Sequence, residues 1–306
     1  MSEDITAGGI TVRLSNPRKV LFPDDGITKE DLARYYADVA GRMLPWLRDR
    51  PITMMRYPDG LSGQRIVQKN VPPYFPDWIR RVAVPKESGV VEQAVCDQPA
   101  TLVYLASQAC IEVHALTSRA DRLDAPDQLV IDLDPPDAKH FGQVRQAALW
   151  ARELLDGELG FTSYVRTTGG RGLHVHVGLD RRAGFDAVLE FTRRAAEALA
   201  SRHPDVITTE QRKDKRGERI YADVMRNAYA QTVVACYAVR GRPGASVATP
   251  LSWPEVEDAG LEPGQFTIFT VPARLARTDD PWAGFTHARY GLGQASERLA
   301  KLTPAT

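Results

Sequence analysis

Asp132 and Asp134 stand two apart in Leu129-Val130-Ile131-Asp132-Leu133-Asp134, which reads as a strand stopped by Pro135 and Pro136. Side chains two apart on a strand share a face, so both carboxylates converge at a strand end while Ile131 and Leu133 face the other way. Such a pair repels itself when ionised unless a divalent cation lies between the groups, and magnesium or manganese prefers carboxylate oxygens with water and phosphate. A solvated acidic turn is the plainer alternative; the Pro-Pro stop and the apolar flanks favour metal binding. Asp223 is a third acid, inside the apolar run Ile220-Tyr221-Ala222-Asp223-Val224-Met225, where an unpaired charge is costly. Its partner is a metal or an arginine, and Arg226 is close in sequence.

A second constellation is Thr167-Thr168-Gly169-Gly170-Arg171-Gly172-Leu173-His174-Val175-His176. The glycines let backbone amides approach an anion, and Arg171 adds positive charge within the turn, the makings of a phosphate cradle. His174 and His176 alternate with apolar residues, so both imidazoles share one strand face. A plain hairpin with hydrogen-bonded histidines is the competing reading. Arg240-Gly241-Arg242 sets two guanidiniums around a glycine, suited to gripping phosphate or simply to facing solvent. Residues 212–219 carry five basic and two acidic side chains, expected as a flexible loop at a nucleic-acid backbone or as a solvated charge run. Asn16, Lys19 and Lys29 form a smaller polar and basic group around Leu21-Phe22-Pro23.

These residues need elements to position them. Thr28 and Asp31 resemble a capping box opening a helix over 28–47, with Pro45 bending or ending it. A strand at 51–57, a helix at 100–110 and a strand at 111–116 follow, and the proline-rich stretch 70–85 reads as an irregular surface excursion. Beyond 129–134, a helix bearing Val144 to Leu155 leads to strands at 162–166 and 173–179, a helix at 185–201, and strands at 220–225 and 232–239, with another expected at 266–271. Interleaved helices and strands imply an α/β or α+β protein with mixed sheets. No low-complexity linker divides the chain, so residues 1–306 are expected as a single catalytic domain of two lobes. A C-terminal tail begins near 275, whose Trp282 and Tyr290 either pack on the core or contact DNA.

Composition narrows the function classes. With 43% hydrophobic and 25% charged residues in 306, disorder and fibrous repeats are excluded. Basic and acidic residues balance at 39 each, so any nucleic-acid contact must come from local clusters. Cys96, Cys110 and Cys236 are too dispersed for a disulfide framework or zinc knuckle and are expected as buried thiols. No long apolar run or signal-like N-terminus occurs, so a soluble cytoplasmic protein without membrane contact is expected.

Asp-Leu-Asp, Gly-Gly-Arg-Gly-Leu-His, a late strand Asp and Arg-Gly-Arg, in this order, resemble the polymerase domain of bacterial ligase D in the archaeo-eukaryotic primase superfamily. The likeness extends from Ser15-Asn16-Pro17-Arg18-Lys19 and Gly26-Ile27-Thr28-Lys29 to Ser246-Val247-Ala248-Thr249-Pro250-Leu251. The chain has no Lys-x-Asp-Gly ligase motif, which implies a stand-alone member. The resemblance implies a two-lobed primase-like core that adds nucleotides, ribonucleotides included, to a 3′-hydroxyl at DNA gaps or breaks in repair. Two Mn²⁺ or Mg²⁺ ions would then sit on Asp132, Asp134 and Asp223. Thr168, Arg171 and His174, with Arg226, Arg240 and Arg242, would contact the nucleoside triphosphate, and His114 would lie near the incoming nucleotide. Asn16, Lys19 and Lys29 would hold the downstream 5′-phosphate. A separate DNA ligase or end-binding protein is an implied partner, and action at the bacterial nucleoid an implied location.

Thr168 and Arg171 stand where the family usually carries Ser and Lys, Met55 falls where some members have lysine, and Cys236 lies where Ala-Pro-Tyr is common. Ile66 and Val67 stand where some relatives carry a DNA-stacking aromatic pair. Two other readings remain: a catalytically silent DNA gap or end binder, and a nucleotide-sugar transferase using Asp-x-Asp.

Overall fold

Strict alternation along Gln128–Asp134 decides the architecture around the acids, because one face of the strand is wholly apolar and the other is not. The computed structural model describes residues 2–87 and 89–302. It is a mixed α/β structure that divides into two units, Met1–Asp121 with Thr232–Thr249 and Gly264–Thr278, and Arg122–Gln231 with Pro250–Pro263 and Asp279–Thr306. Among the described residues no helix is long and apolar enough to cross a membrane.

The second unit is built on a six-stranded sheet ordered Ile207–Thr208, Ile220–Asp223, Gln128–Asp134, Leu173–Gly178, Ser163–Thr167 and Pro250–Leu251. All neighbours are antiparallel except the first pair. On one face Leu129, Ile131, Leu133, Val165, Val175 and Val177 are fully buried. The helices Phe141–Arg152 and Phe185–Arg202 each bury one apolar stripe in this unit. The opposite face carries the polar residues. Ile220–Asp223 ends beside Asp132, and beyond it the Asn227 side chain takes over as a ladder partner. Its amide accepts from Val130 N at 2.8 Å and donates to the carbonyls of Val130 and Val224 at 2.7 Å each.

Trp282, expected either on the core or on DNA, packs on the core. It is 1% exposed, donates from Nε1 to the Val165 carbonyl at 2.9 Å and stacks on Phe285. Tyr290 bonds Thr162 and edges onto Phe161.

In the first unit the helix Lys29–Leu47 starts at a complete Thr28/Asp31 capping box and runs through Pro45 to Leu47. It packs against the helix Pro99–Ser107. A four-stranded antiparallel sheet, ordered Thr232–Val234, Cys110–Leu116, Ile52–Arg56 and Ile66–Gln68, lies in the same unit. Tyr36 ties helix to sheet by donating to the Ile111 carbonyl at 2.6 Å. All three cysteines are buried and unbridged.

Three expectations need correction. The stretch 70–85 is not irregular throughout, because Arg81–Lys86 pairs with Gly89–Ala94 in an antiparallel hairpin whose alternating side chains give both strands one semi-buried face. Residues 266–271 do not form a strand: Thr267 makes one bridge to Ser246, then its hydroxyl accepts from the Phe269 and Thr270 amides and turns the chain into the helix Thr270–Leu275. The 212–219 segment is not an open loop but holds the helical turn Lys213–Arg216. Arg216 closes it, donating to the carbonyls of Glu210 and Gln211 at 2.9 and 2.7 Å and stacking over Tyr221 at 3.7 Å.

Replacing Asn227 by Leu should take the side-chain partner from the buried Val130 N–H and carbonyl, while the Val224 carbonyl keeps the Asn227 N–H at 3.0 Å, and lower unfolding free energy by about 2 kcal/mol, at about 1 to 3 kcal/mol per orphaned group less packing gain. Urea denaturation checks it; an unchanged midpoint would show that the ladder extension is dispensable.

Candidate functional site

Strand register makes a row of the polar residues in the second unit. Asp223 lies opposite Asp132, Asp132 opposite His174, and His174 opposite Arg166, all on one face. Asp134 sits on the same face one pleat further, at the strand end, opposite Tyr221. Carboxylates that are 91 residues apart in sequence are therefore directly paired across two strands.

The row handles this charge unevenly. Burial pushes the Asp132 carboxyl up, but His174 and then Arg226 outweigh it, holding the pKa down at about 2. His174 Nε2 is 3.3 Å from Asp132 Oδ1, and Arg226 Nε is 3.5 Å from Oδ2. His174 is itself driven down to about 4, by burial first and by the Arg166 charge among other causes, so at neutral pH the ring is uncharged. Asp134 and Asp223 go the other way. Loss of solvent raises both, the charge of Asp132 raises both further, and Asp223 also raises Asp134. Asp223 Oδ1 accepts from Met225 N at 2.8 Å. Arg226 thus lies on Asp132 and reaches Asp223 only through its field, contrary to a direct Asp223 salt bridge.

The glycine turn docks against this strand end. Thr168 accepts from the Gly170 amide at 3.0 Å and donates to the Gly172 carbonyl at 3.1 Å, so its hydroxyl braces the turn. A Cβ on Gly172 would lie 2.4 Å from the Leu133 carbonyl, which admits only glycine. Arg171 projects to solvent and helps line a pocket of about 200 Å³ with Asp134, Pro135, Lys213, Arg216 and Arg219. The charge run thereby joins the site: four cations surround one carboxylate, a setting for a polyanion.

Among the described residues no group of three or more His, Cys, Asp or Glu side chains forms a ready-made metal cage. The donor chemistry nonetheless fits a hard divalent cation, since the acids share a face and Asp134 and Asp223 are destabilised as anions by their neighbours.

The remaining candidates belong to the first unit. His114 and Arg240 meet at Glu112, a residue the sequence reading passed over. Its carboxylate accepts from Tyr57 at 2.8 Å, Arg240 Nε at 2.8 Å and the Gly241 amide at 3.1 Å, and contacts His114 at 3.1 Å. Period-2 spacing in Ile-Glu-Val-His held the signal, for it places Glu112 and His114 on one face. Arg242 borders a separate groove with Asp24, Asp25 and Tyr57. Lys29 is buried and donates to the Ser15 carbonyl at 2.9 Å, while Lys19 pairs with Asp59 at 3.3 Å. Burial lowers the Lys29 pKa, and the charges of Lys19 and Arg56 lower it further, so these three cations share one field. Asn16 is exposed in a left-handed turn at φ 51°. Ile66 and Val67 are exposed on the sheet edge, and exposed Tyr74 reaches Arg56 nearby.

Comparison with known proteins places the chain in a family. The family model described as LigD, primase-polymerase domain, matches residues 28–282. The bifunctional non-homologous end joining protein LigD of Bacillus subtilis is 34% identical over 268 residues, 87% of this chain and 43% of that protein. The multifunctional non-homologous end joining DNA repair protein LigD of Mycobacterium tuberculosis is 32% identical over 277 residues, 88% of this chain and 36% of that protein. The chain thus spans less than half the length of these relatives. The polymerase domain from Mycobacterium tuberculosis ligase D, solved in complex with DNA, matches with a TM-score of 0.85 at 30% identity, over 91% of this chain and 99% of that one.

Glu112 yields a pH prediction. Burial raises its pKa, but His114, Arg240 and Tyr57 together outweigh that and hold the carboxyl well below the usual 4.5. A depressed folded pKa gives stability that is fully present above the unfolded value and lost as pH falls through the folded one. Stability should therefore fall below about pH 4.5, and Glu112→Gln should flatten that limb in a denaturation series. An unaltered acid limb would contradict the assignment.

Proposed function

The chain belongs to the LigD primase-polymerase domain family, and from that premise we propose that it is a template-dependent nucleotidyltransferase acting at DNA gaps or breaks in repair, with ribonucleotides among its substrates. The observation that carries the reading is the row Asp223–Asp132 with Asp134 at the strand end, where Asp134 lines a pocket rich in arginine and lysine. The nucleotide-sugar transferase reading has no support in the comparisons.

Asp132, Asp134 and Asp223 are the proposed ligands of two Mn²⁺ or Mg²⁺ ions. When bound, such ions lower the pKa of an attacking hydroxyl and neutralise charge on the transferring and leaving phosphates. In the reaction the 3′-hydroxyl gives up its proton to solvent, its oxygen bonds to the α-phosphorus, the bond from that phosphorus to the bridging oxygen breaks, and pyrophosphate leaves with the bonding electron pair. Around that chemistry the chain supplies charge and shape. Arg171, Lys213, Arg216 and Arg219 raise the local concentration of a polyphosphate next to Asp134. Thr168 braces the glycine turn so that its amides keep a fixed aim. His174 and Arg226 keep Asp132 ionised.

His114, Arg240 and Arg242 are proposed for the nucleotide on the resemblance, and Glu112 restrains the first two. Asn16, Lys19 and Lys29 are proposed for the downstream 5′-phosphate, supported by the field that Lys19 and Lys29 share. DNA, nucleoside triphosphates and a separate ligase or end-binding protein are the proposed partners.

Single-nucleotide incorporation on a gapped duplex with Mn²⁺ tests the reading. Incorporation should follow the template, Asp132→Ala and Asp134→Ala should reduce it to background, and Lys29→Ala should remove about tenfold of stimulation by a 5′-phosphate, the worth of one charge-assisted contact. DNA binding without incorporation in the wild type would instead establish a silent gap binder.

A further inference from the structure

A buried polar chain runs behind Asp132 and His174 through Arg166, His176 and Gln128, to which the proposed function gives no role. Arg166 is 1% exposed and lies opposite His174 in register. Its Nη2 donates to His174 Nδ1 at 2.9 Å and its Nε donates to His176 Nε2 at 3.1 Å. His174 Nε2 is 3.3 Å from Asp132 Oδ1, and His176 Nδ1 is 3.0 Å from Gln128 Oε1. Trp282 covers the His176 ring, with centroids 5.0 Å apart.

The proton positions follow from donor counting. A guanidinium has five N–H groups, no acceptor, and keeps its charge. Both ring nitrogens facing Arg166 must therefore present lone pairs. A neutral imidazole has one lone pair and one N–H, so the protons lie on His174 Nε2 and His176 Nδ1. Each of those meets an acceptor, the Asp132 carboxylate at one end and the Gln128 amide oxygen at the other. The opposite tautomer of His174 would set N–H against N–H at Arg166 and a lone pair against the carboxylate. One assignment satisfies all four contacts.

We propose that Arg166 is a positioning residue that fixes His174 as an Nε2–H donor and so sets the orientation of the Asp132 carboxylate for the cation, with His176 and Gln128 steadying Arg166 from behind. The link to the cation rests on the proposed function; the ring assignment does not. Groups that orient a metal ligand from behind commonly change affinity by about 10- to 100-fold when removed. The sequence hides this role, since Arg166 in Tyr-Val-Arg-Thr resembles any strand arginine until the register sets it beside two histidines.

Long-range ¹H–¹⁵N correlation spectra of the imidazoles in the metal-free, DNA-free full chain test it first. Between pH 6 and 8 His174 should carry its proton on Nε2 and His176 on Nδ1. An Nδ1-protonated or doubly protonated His174 overturns the proposal without any variant. Arg166→Met should release His174 to mixed tautomers and weaken Mn²⁺ binding about tenfold or more, read by electron paramagnetic resonance without nucleotide, and Arg166→Lys should restore part of both. Should Arg166→Met fail to fold, Gln128→Leu should release the His176 tautomer and weaken Mn²⁺ by a smaller factor. A folded Arg166→Met or Gln128→Leu protein with wild-type tautomers and Mn²⁺ affinity overturns the proposal. Because the tautomers are read without metal or DNA, the ring assignment stands or falls separately from the polymerase reading.

Discussion

Two carboxylates directly opposite one another on paired strands, Asp132 and Asp223, repel at the short separation that antiparallel pairing imposes. The polar face of the second unit's sheet is organised around that repulsion. Asp132 is held ionised by His174 and Arg226, whereas Asp223 and Asp134 are both pushed up, a rise offset in part by the Met225 amide at Asp223 and by the charges of Arg171 and Arg216 at Asp134. What these contacts leave uncompensated is the feature that the proposed divalent cations would answer. The stored repulsion and the proposed chemistry are thus one property of the strand pairing.

Holding like charges together requires a rigid base. The apolar underside of the sheet supplies it, since Ile131 and Leu133 alternate with the acids and are fully buried. Asn227 extends the ladder past the end of Ile220–Asp223, and Gly172 lets the glycine turn close onto Leu133. Each device removes a freedom the acids would otherwise use to separate. In the first unit Glu112 does the converse. One buried carboxylate gathers Tyr57, His114, Arg240 and the Gly241 amide, fixing donors and cations around a single anion.

Much of this is legible in the residues alone. Asp132 and Asp134 declare a shared face because strand periodicity is local, and Asp223 stands out because a charge interrupts an apolar run. The pairing of Asp223 with Asp132, by contrast, is set by register between distant segments, which no local pattern encodes. For the same reason Arg226 looks like the neighbour of Asp223 and instead lies on Asp132. The 266–271 run has strand-like composition, yet the Thr267 hydroxyl turns the chain into a helix there, and Pro272 falls in its first turn where a missing N–H costs nothing. The basic run 212–219 reads as an open loop because the carbonyls that Arg216 binds, and the Tyr221 ring beneath it, are invisible as partners in sequence.

The most direct measurement of the central claim is an anomalous difference map from crystals grown with Mn²⁺, collected at the manganese edge. Density is expected on the polar face, in contact with carboxylate oxygens of Asp132 together with Asp134 or Asp223. Manganese bound elsewhere, or no manganese on these three side chains at saturating concentration, would contradict the view that the repulsion in this row exists to be answered by a cation.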